Sequence, residues 1–248
     1  MLVQVLVDGA AELAGDGRAR PIADARQPAR EHLRHFPAVH GGGHLLSRLV
    51  TTQTKPDQIE ASGYYRPGLQ RDRDEYDRAA RYFLALLGDG GGGAWLLGSA
   101  RVILGEARPG FRFPAECAFE FELPAAIRDT AASQRVEVTR VVAEAVQGIV
   151  IGGLLTPLGL IQAIASYTLP LGIQAGLAVI KLRFLRALQR LGMRLHEIEP
   201  ARLIYPEDGP TAGYYHHHPD PVVPVYWLND EIAPSVDQAI ARYQGSAG

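Results

Sequence analysis

Glu137 and Arg140 lie in Val136-Glu137-Val138-Thr139-Arg140, a run whose β-branched neighbours predict a strand. Ionisable side chains rarely enter an apolar strand unless they are paired or used. A second strand-like run, Gly98-Ser99-Ala100-Arg101-Val102-Ile103-Leu104, carries Arg101, and Asp74-Glu75-Tyr76-Asp77 precedes both. Positions three apart in a strand face opposite sides, so Glu137 and Arg140 are not expected to pair with each other. Glu137 is expected to share a face with Thr139, and Arg140 with Val138. Each then needs a partner from elsewhere, for which Arg101, Asp74 and Asp77 are the candidates. A carboxylate placed this way is a candidate proton acceptor. A buried ion-pair network without chemistry accounts for the same residues equally well.

Asp74 to Leu87 reads as a helix, with Tyr76, Ala79, Ala80, Phe83 and Leu87 on one face. Asp74 and Asp77 then share the first turn, where capping alone would explain them. Other candidates are weaker. His216-His217-His218 cannot all converge on one ion in regular structure, and Tyr214, Tyr215 and Pro219 around them suggest a surface turn, so no metal is expected. Cys117 sits in an apolar run and reads as a core thiol. Gly88-Asp89-Gly90-Gly91-Gly92-Gly93 lacks the Lys-Ser or Lys-Thr of a phosphate loop and reads as a hairpin turn. The basic series Lys181, Arg183, Arg186, Arg190 and Arg194 has near-helical spacing. It is either a solvated helix face or a docking surface for an acidic acyl carrier protein.

These residues need a scaffold. The first residues, Met1 to Val7, read as a short strand, and the Ala-, Arg-, Gly- and Pro-rich stretch to residue 43 as an N-terminal extension. A catalytic domain is expected from 44 to 248. Strands are predicted at Trp95–Leu104, Cys117–Leu123 and Val136–Val142, followed by a helix near Leu158–Tyr167, a strand near Gly176–Ile180 and a helix from Leu182 to Leu191 ended by Gly192. Further strands are expected in Met193–Ile198, Ala201–Tyr205 and Val222–Trp227, with a last helix at Ser235–Tyr243 capped by Ser235. The result is an α/β fold with a mixed sheet and helices on both faces.

A chain of 248 residues with 47% hydrophobic content supports a substantial core. The net charge of −2 argues against a nucleic-acid protein. A single cysteine suits a reducing cytoplasm, and the N-terminus lacks the pattern of a secretory signal. The stretch from Ala145 to Ile180 carries no charge, but Pro157, Pro170 and scattered glutamines favour a buried helix and central strand over membrane insertion.

Taken in order, Asp74-Glu75-Tyr76-Asp77, Gly98 to Ile103, Phe113-Pro114-Ala115-Glu116 and Glu137-Val138-Thr139-Arg140 resemble the acyl-homoserine-lactone (autoinducer) synthases. That family is GNAT-like, which implies a three-layer fold with a central twisted mixed sheet flanked by helices. The resemblance spans about residues 44 to 245 and is most specific between 74 and 142. It implies a polar active-site cluster of Asp74, Asp77, Arg101, Glu137 and Arg140, with Thr139 beside it and Arg48 in place of the family's N-terminal arginine. It further implies S-adenosylmethionine as substrate, with neither metal nor pyridoxal phosphate. The amine is acylated from a carrier- or CoA-bound thioester, and lactone closure releases methylthioadenosine. Glu137 accepts the proton in this scheme, Asp74 and Asp77 favour the sulfonium and ammonium, and Arg101 or Arg140 holds the carboxylate. The apolar stretch after Ala145 would line an acyl pocket, and Lys181, Arg183, Arg186 and Arg190 would meet the carrier.

The chain departs from the family after Arg48, where the usual aromatics give way to Leu49 to Pro56 and reappear only at Tyr64 and Tyr65, two candidate substrate contacts. The acceptor is therefore open. Intramolecular cyclisation of S-adenosylmethionine to 1-aminocyclopropane-1-carboxylate needs no acyl donor and is the first alternative. N-acylation of an ordinary amino acid and a non-enzymatic binding module are the others. Oligomeric state and acyl length have no signature in the sequence.

Overall fold

Alternating small and β-branched residues build one large sheet, and its two faces carry different chemistry. The computed structural model describes residues 3–9, 39–40, 74–78, 80–88, 94–143, 154–209 and 211–246. In chain order the strands are β1 (Val3–Gly9), β2 (Val39–His40), β3 (Ala80–Gly88), β4 (Ala94–Leu104), β5 (Phe119–Phe121), β6 (Arg135–Ala143), β7 (Ala175–Lys181), β8 (His196–Glu197), β9 (Ala201–Leu203) and β10 (Val222–Leu228). The helices are α1 (Pro114–Ala118), α2 (Ala125–Arg128), α3 (Leu155–Thr168), α4 (Leu182–Arg190), α5 (Ala212–Tyr215) and α6 (Asn229–Ser246). Eight strands form a sheet in the order β2-β1-β3-β4-β6-β7-β10-β8, and β5 pairs with β9 separately. The large sheet is mixed, antiparallel except at β1/β2 and β6/β7.

One face buries Phe83, Val102, Val136, Ala178 and Val225 beneath α3, α4 and α6. The other buries Ala80, Ile103 and Leu177 beneath Phe113 and Ile127, which α1 and α2 bring over the sheet. This is the α/β architecture, with helices on both faces of a mixed sheet, that the sequence predicts. The charge-free stretch forms the interior helix α3 and the central strand β7; residues 145–153 within it lie outside the described set. No helix among the described residues is long and apolar enough to cross a membrane.

Three local expectations are corrected. Residues 74–87 are a short 3-10 turn at Glu75–Arg78 followed by β3, because Ala80, Tyr82 and Leu84 alternate with Phe83 and Ala85 across the sheet rather than lining a helix. Cys117 belongs to α1, not to a strand, and it is exposed, since Ala115 and Ala118 take the buried side of that short helix. The last helix begins at Asn229, so Ser235 is interior: its Oγ donates to the Ile232 carbonyl at 2.9 Å instead of capping.

Two features shape the space around the sheet. Pairing of β6 with β7 runs from Arg135↔Ala175 to Val138↔Ala178, although β6 continues to Ala143 and β7 to Lys181. The strands part beyond that point. Gly176 lies flat against Trp227, whose ring atoms would stand 2.0–2.6 Å from any added Cβ. Trp227 is held there by its indole N–H, which donates to Asn229 Oδ1 at 3.1 Å.

Candidate active site

Arg101 sits on β4 between β3 and β6 with 3% of its surface exposed, so its charge requires partners. Register supplies them. Arg101 lies opposite Tyr82 on β3 and opposite Thr139 on β6. Its Nε donates to Thr139 Oγ1 at 2.9 Å, and its Nη1 reaches Asp74 Oδ1 at 2.8 Å and Asp77 Oδ1 at 2.7 Å. The 3-10 turn presents both acids together: the Asp74 N–H donates to Asp77 Oδ2 at 3.0 Å, and the Tyr76 N–H to Asp74 Oδ1 at 3.0 Å.

Arg140 joins the same acids, which overturns the opposite-face expectation. Pairing of β4 with β6 shifts between Ser99 and Arg101, a β-bulge at which Arg140 adopts φ +52°. The extra residue re-aims the side chain. Arg140 Nη2 then lies 3.1 Å from Asp74 Oδ2 and its Nη1 3.4 Å from Asp77 Oδ1. Left-handed backbone at a non-glycine residue costs about 1–3 kcal/mol and persists only where surrounding contacts enforce it.

Glu137 is deeper, 1% exposed, and its carboxylate accepts the Ala115 N–H at 2.9 and 3.2 Å. Burial raises its pKa from 4.5 to about 8, against the lowering effects of that N–H and of Arg101; the charges of Glu116 and Asp74 add to the rise. Asp77 moves the other way. Burial alone would raise it, but hydrogen bonds from Tyr82, the Asp74 backbone and Arg101, with the charge of Arg140, hold it below the usual carboxylate range. Tyr82 donates to Asp77 Oδ1 at 2.6 Å, and burial followed by that acid pushes its own pKa up to about 12. For Arg101, Asp74 and Asp77 outweigh burial and raise its pKa, keeping it charged.

The structure therefore brings together Asp74, Asp77, Arg101, Thr139 and Arg140, with Glu137 on the same strand face as Thr139. Arg48, Tyr64 and Tyr65 lie outside the described residues. Sequence reasoning missed Tyr82, because the segment was read as a helix; an alternating reading would have set it opposite Arg101. It also missed Ala115, whose contribution is a backbone N–H that no side chain announces. Of the basic series, Lys181 turns away from α4, its Nζ donating to the Tyr214 carbonyl at 2.9 Å. Arg183, Arg186 and Arg190 are exposed on α4, and Arg186 pairs with Glu197 at 3.2 Å. His216 follows α5 and its Nε2 lies 2.7 Å from the Tyr205 carbonyl.

On the opposite sheet face, where β6 and β7 part, lies an apolar cavity of about 50 Å³. Val138, Val141 and Ile180 come from the parted strands, and Ile164, Phe184 and Trp227 are among its other walls.

Neither the protein-family models nor the curated proteins match this sequence. Solved structures do match. TofI in a ternary complex with an inhibitor and MTA superimposes with a TM-score of 0.54 at 18% identity, covering 96% of this chain and 98% of that one. TofI in its apo form gives 0.51 at 16% identity with the same coverage. The chain shares its α/β fold with TofI. The AHL synthase LasI aligns at 15% identity over 78% of this chain and 86% of its own, with a TM-score of 0.48.

Proposed function

We propose that this chain acts on the aminobutyryl unit of S-adenosylmethionine and releases methylthioadenosine, with Glu137 as proton acceptor. The reading rests on the buried Glu137 carboxylate, held by the Ala115 N–H at 2.9 Å beside the paired Asp74, Asp77, Arg101 and Arg140. It is supported by a fold shared with TofI, a protein solved together with MTA.

The reacting end of S-adenosylmethionine carries a carboxylate, an ammonium and a sulfonium. Two acids against two guanidiniums make the cluster formally neutral, so such a substrate enters by exchanging partners rather than by meeting an unpaired buried charge. Asp74 is the more open acid, with 33% of its side chain exposed against 18% for Asp77, and is assigned to the cationic groups. Arg140 is assigned to the carboxylate. Arg101, tied to both acids, positions them.

The geometry favours intramolecular cyclisation over acyl transfer. Glu137 takes the Cα proton, and the released pair attacks Cγ. A Cα–Cγ bond forms, the Cγ–S bond breaks with its electrons going to sulfur, and 1-aminocyclopropane-1-carboxylate and methylthioadenosine result. A carboxylate with raised proton affinity is the stronger base for this step. No pyridoxal phosphate or acyl donor is needed. The specific support is the size of the apolar cavity: about 50 Å³, against about 150 Å³ for a dry cavity that admits benzene.

A second reading keeps the acyl donor. The parted ends of β6 and β7 give backbone groups that a thioester arm can pair with, and the cavity lies directly behind them. In that form the donor carries a short acyl group, transfer to the amine precedes lactone closure, and Arg183, Arg186 and Arg190 offer a face to an acidic carrier.

The test is to incubate purified protein with S-adenosylmethionine alone, then with acetyl-, butyryl- and octanoyl-CoA, following methylthioadenosine and the amino acid product. Release without thioester, accompanied by 1-aminocyclopropane-1-carboxylate, is expected. Release only with a short thioester selects the second reading, and no release in any mixture refutes the S-adenosylmethionine assignment.

A further inference from the structure

Arg135 lies two residues before Glu137 on the same face of β6, and it is 8% exposed. Its Nη1 stands 3.4 Å from Glu116 Oε1, its guanidinium carbon is 5.8 Å from the Phe113 ring centroid, and its buried Nε has no hydrogen-bond partner among the described residues. A guanidinium in that state is costly, and an apolar side chain of similar volume often serves stability as well or better. The charge therefore calls for a use other than packing. Glu116 indicates one. Its Oε2 accepts the Phe113 N–H at 2.8 Å, closing the start of α1, and, Pro114 having none, the next N–H in the chain is that of Ala115, which holds Glu137.

We propose that Arg135 is a positioning residue, which fixes Glu116 and with it the short α1 segment so that the Ala115 N–H stays on the Glu137 carboxylate. The proposal rests on Glu137 being the proton acceptor. It assigns Arg135 and Glu116 no contact with substrate.

Arg135 also offsets the negative charge of Glu116, which on its own raises the proton affinity of Glu137. Among the described residues, the charged and titratable groups that act on Glu137 include Arg101 from β4, Asp74 just before the 3-10 turn, Tyr76 within it, and Glu116 from α1. Arg135 is separated from Glu137 by about 7 Å of strand. At such spacing one charge moves a neighbouring titration by about one pH unit, a tenfold change in protonated fraction.

The variants Arg135→Met, Arg135→Lys and Glu116→Gln separate positioning from bulk stability. Arg135→Met removes a cation and leaves Glu116 uncompensated, so the Glu137 titration is expected to move up by about one pH unit. Glu116→Gln moves it down, and Arg135→Lys restores it towards the parent. The titration is read from the 13C-carboxyl resonance of labelled glutamate, assigned by its loss in Glu137→Gln, and does not depend on turnover. The acid limb of methylthioadenosine release against pH gives the second reading. Faster hydrogen exchange of the Ala115 amide in both the Met and Gln variants, beside the opposite titration shifts that the deleted charges produce, supports the proposal. An Ala115 amide whose exchange is unchanged in both variants overturns it, as do unmoved titrations. If Glu137→Gln retains full activity while the opposite shifts persist, the positioning network stands and the proton-acceptor assignment falls.

Discussion

Replacing Glu137 by Gln should make the folded protein more stable at alkaline pH and leave it nearly unchanged in acid. The folded chain holds a proton on Glu137 up to about pH 8, whereas the ordinary value is 4.5. Between those limits the folded state binds the extra proton, so this group's contribution to stability falls as pH rises. It is complete below pH 4.5 and lost above 8. At 1.36 kcal/mol per pH unit the interval corresponds to about 5 kcal/mol, a ceiling set by complete burial. Gln keeps an oxygen for the Ala115 N–H and removes the ionisation. Its stability relative to the parent should therefore climb from near zero at pH 4 towards that ceiling at pH 9. Urea unfolding of both proteins at pH 4, 6, 7.5 and 9 without substrate measures the difference, and other titrating groups cancel between them provided the m-values agree. Parallel stability curves, or a variant that loses ground as pH rises, would refute a buried acid with raised proton affinity.

Three other outcomes follow from the same geometry. Gly176→Ala drives a Cβ into the Trp227 ring at 2.0 Å and should cost about 1–3 kcal/mol by thermal melting, most of it recovered when Trp227→Leu is added. Arg101→Lys cannot reach Thr139, Asp74 and Asp77 together with one ammonium, so methylthioadenosine release should fall about a hundredfold in kcat/KM while the fold persists by circular dichroism. Asp77 has a depressed pKa, so its stabilisation is present above the ordinary value of 3.8 and lost as pH falls below it; the advantage of the parent over Asp77→Asn in urea should shrink from pH 6 to pH 3.

The sheet was legible in the sequence because the runs at 94–104, 136–142, 176–180 and 222–227 combine strand length with apolar and β-branched residues. Asp74, Asp77, Arg101, Thr139 and Arg140 were legible as a group because charges inside such runs need one another. Two things were hidden for physical reasons. Residues 80–87 satisfy both a helical and an alternating pattern, and only the partner strands β1 and β4 decide between them. The bulge at Arg140 is a property of register between two strands, and a one-residue mismatch leaves no mark in either strand read alone. The same blindness applies to Ala115, whose function resides in its backbone.

The bulge and the short helix answer one electrostatic difficulty. A carboxylate is a stronger base near neutral pH when it is desolvated without being captured by the nearest guanidinium. Thr139 and Arg101 are register partners, and Glu137 shares their face, so Arg101 is the cation best placed to capture it. Asp74 and Asp77 engage Arg101 at 2.8 and 2.7 Å instead, and the bulge brings Arg140 to share the load on those acids. Glu137 is left with the neutral Ala115 N–H, which orients the carboxylate while lowering its proton affinity less than burial raises it. The aspartates thus act on Glu137, the proposed base, at one remove: they bind the cation that would otherwise hold it ionised. An arrangement of this kind also explains why the cluster is neutral as a whole, since an excess of either sign beside Glu137 would move its titration out of the range where it both accepts and releases a proton.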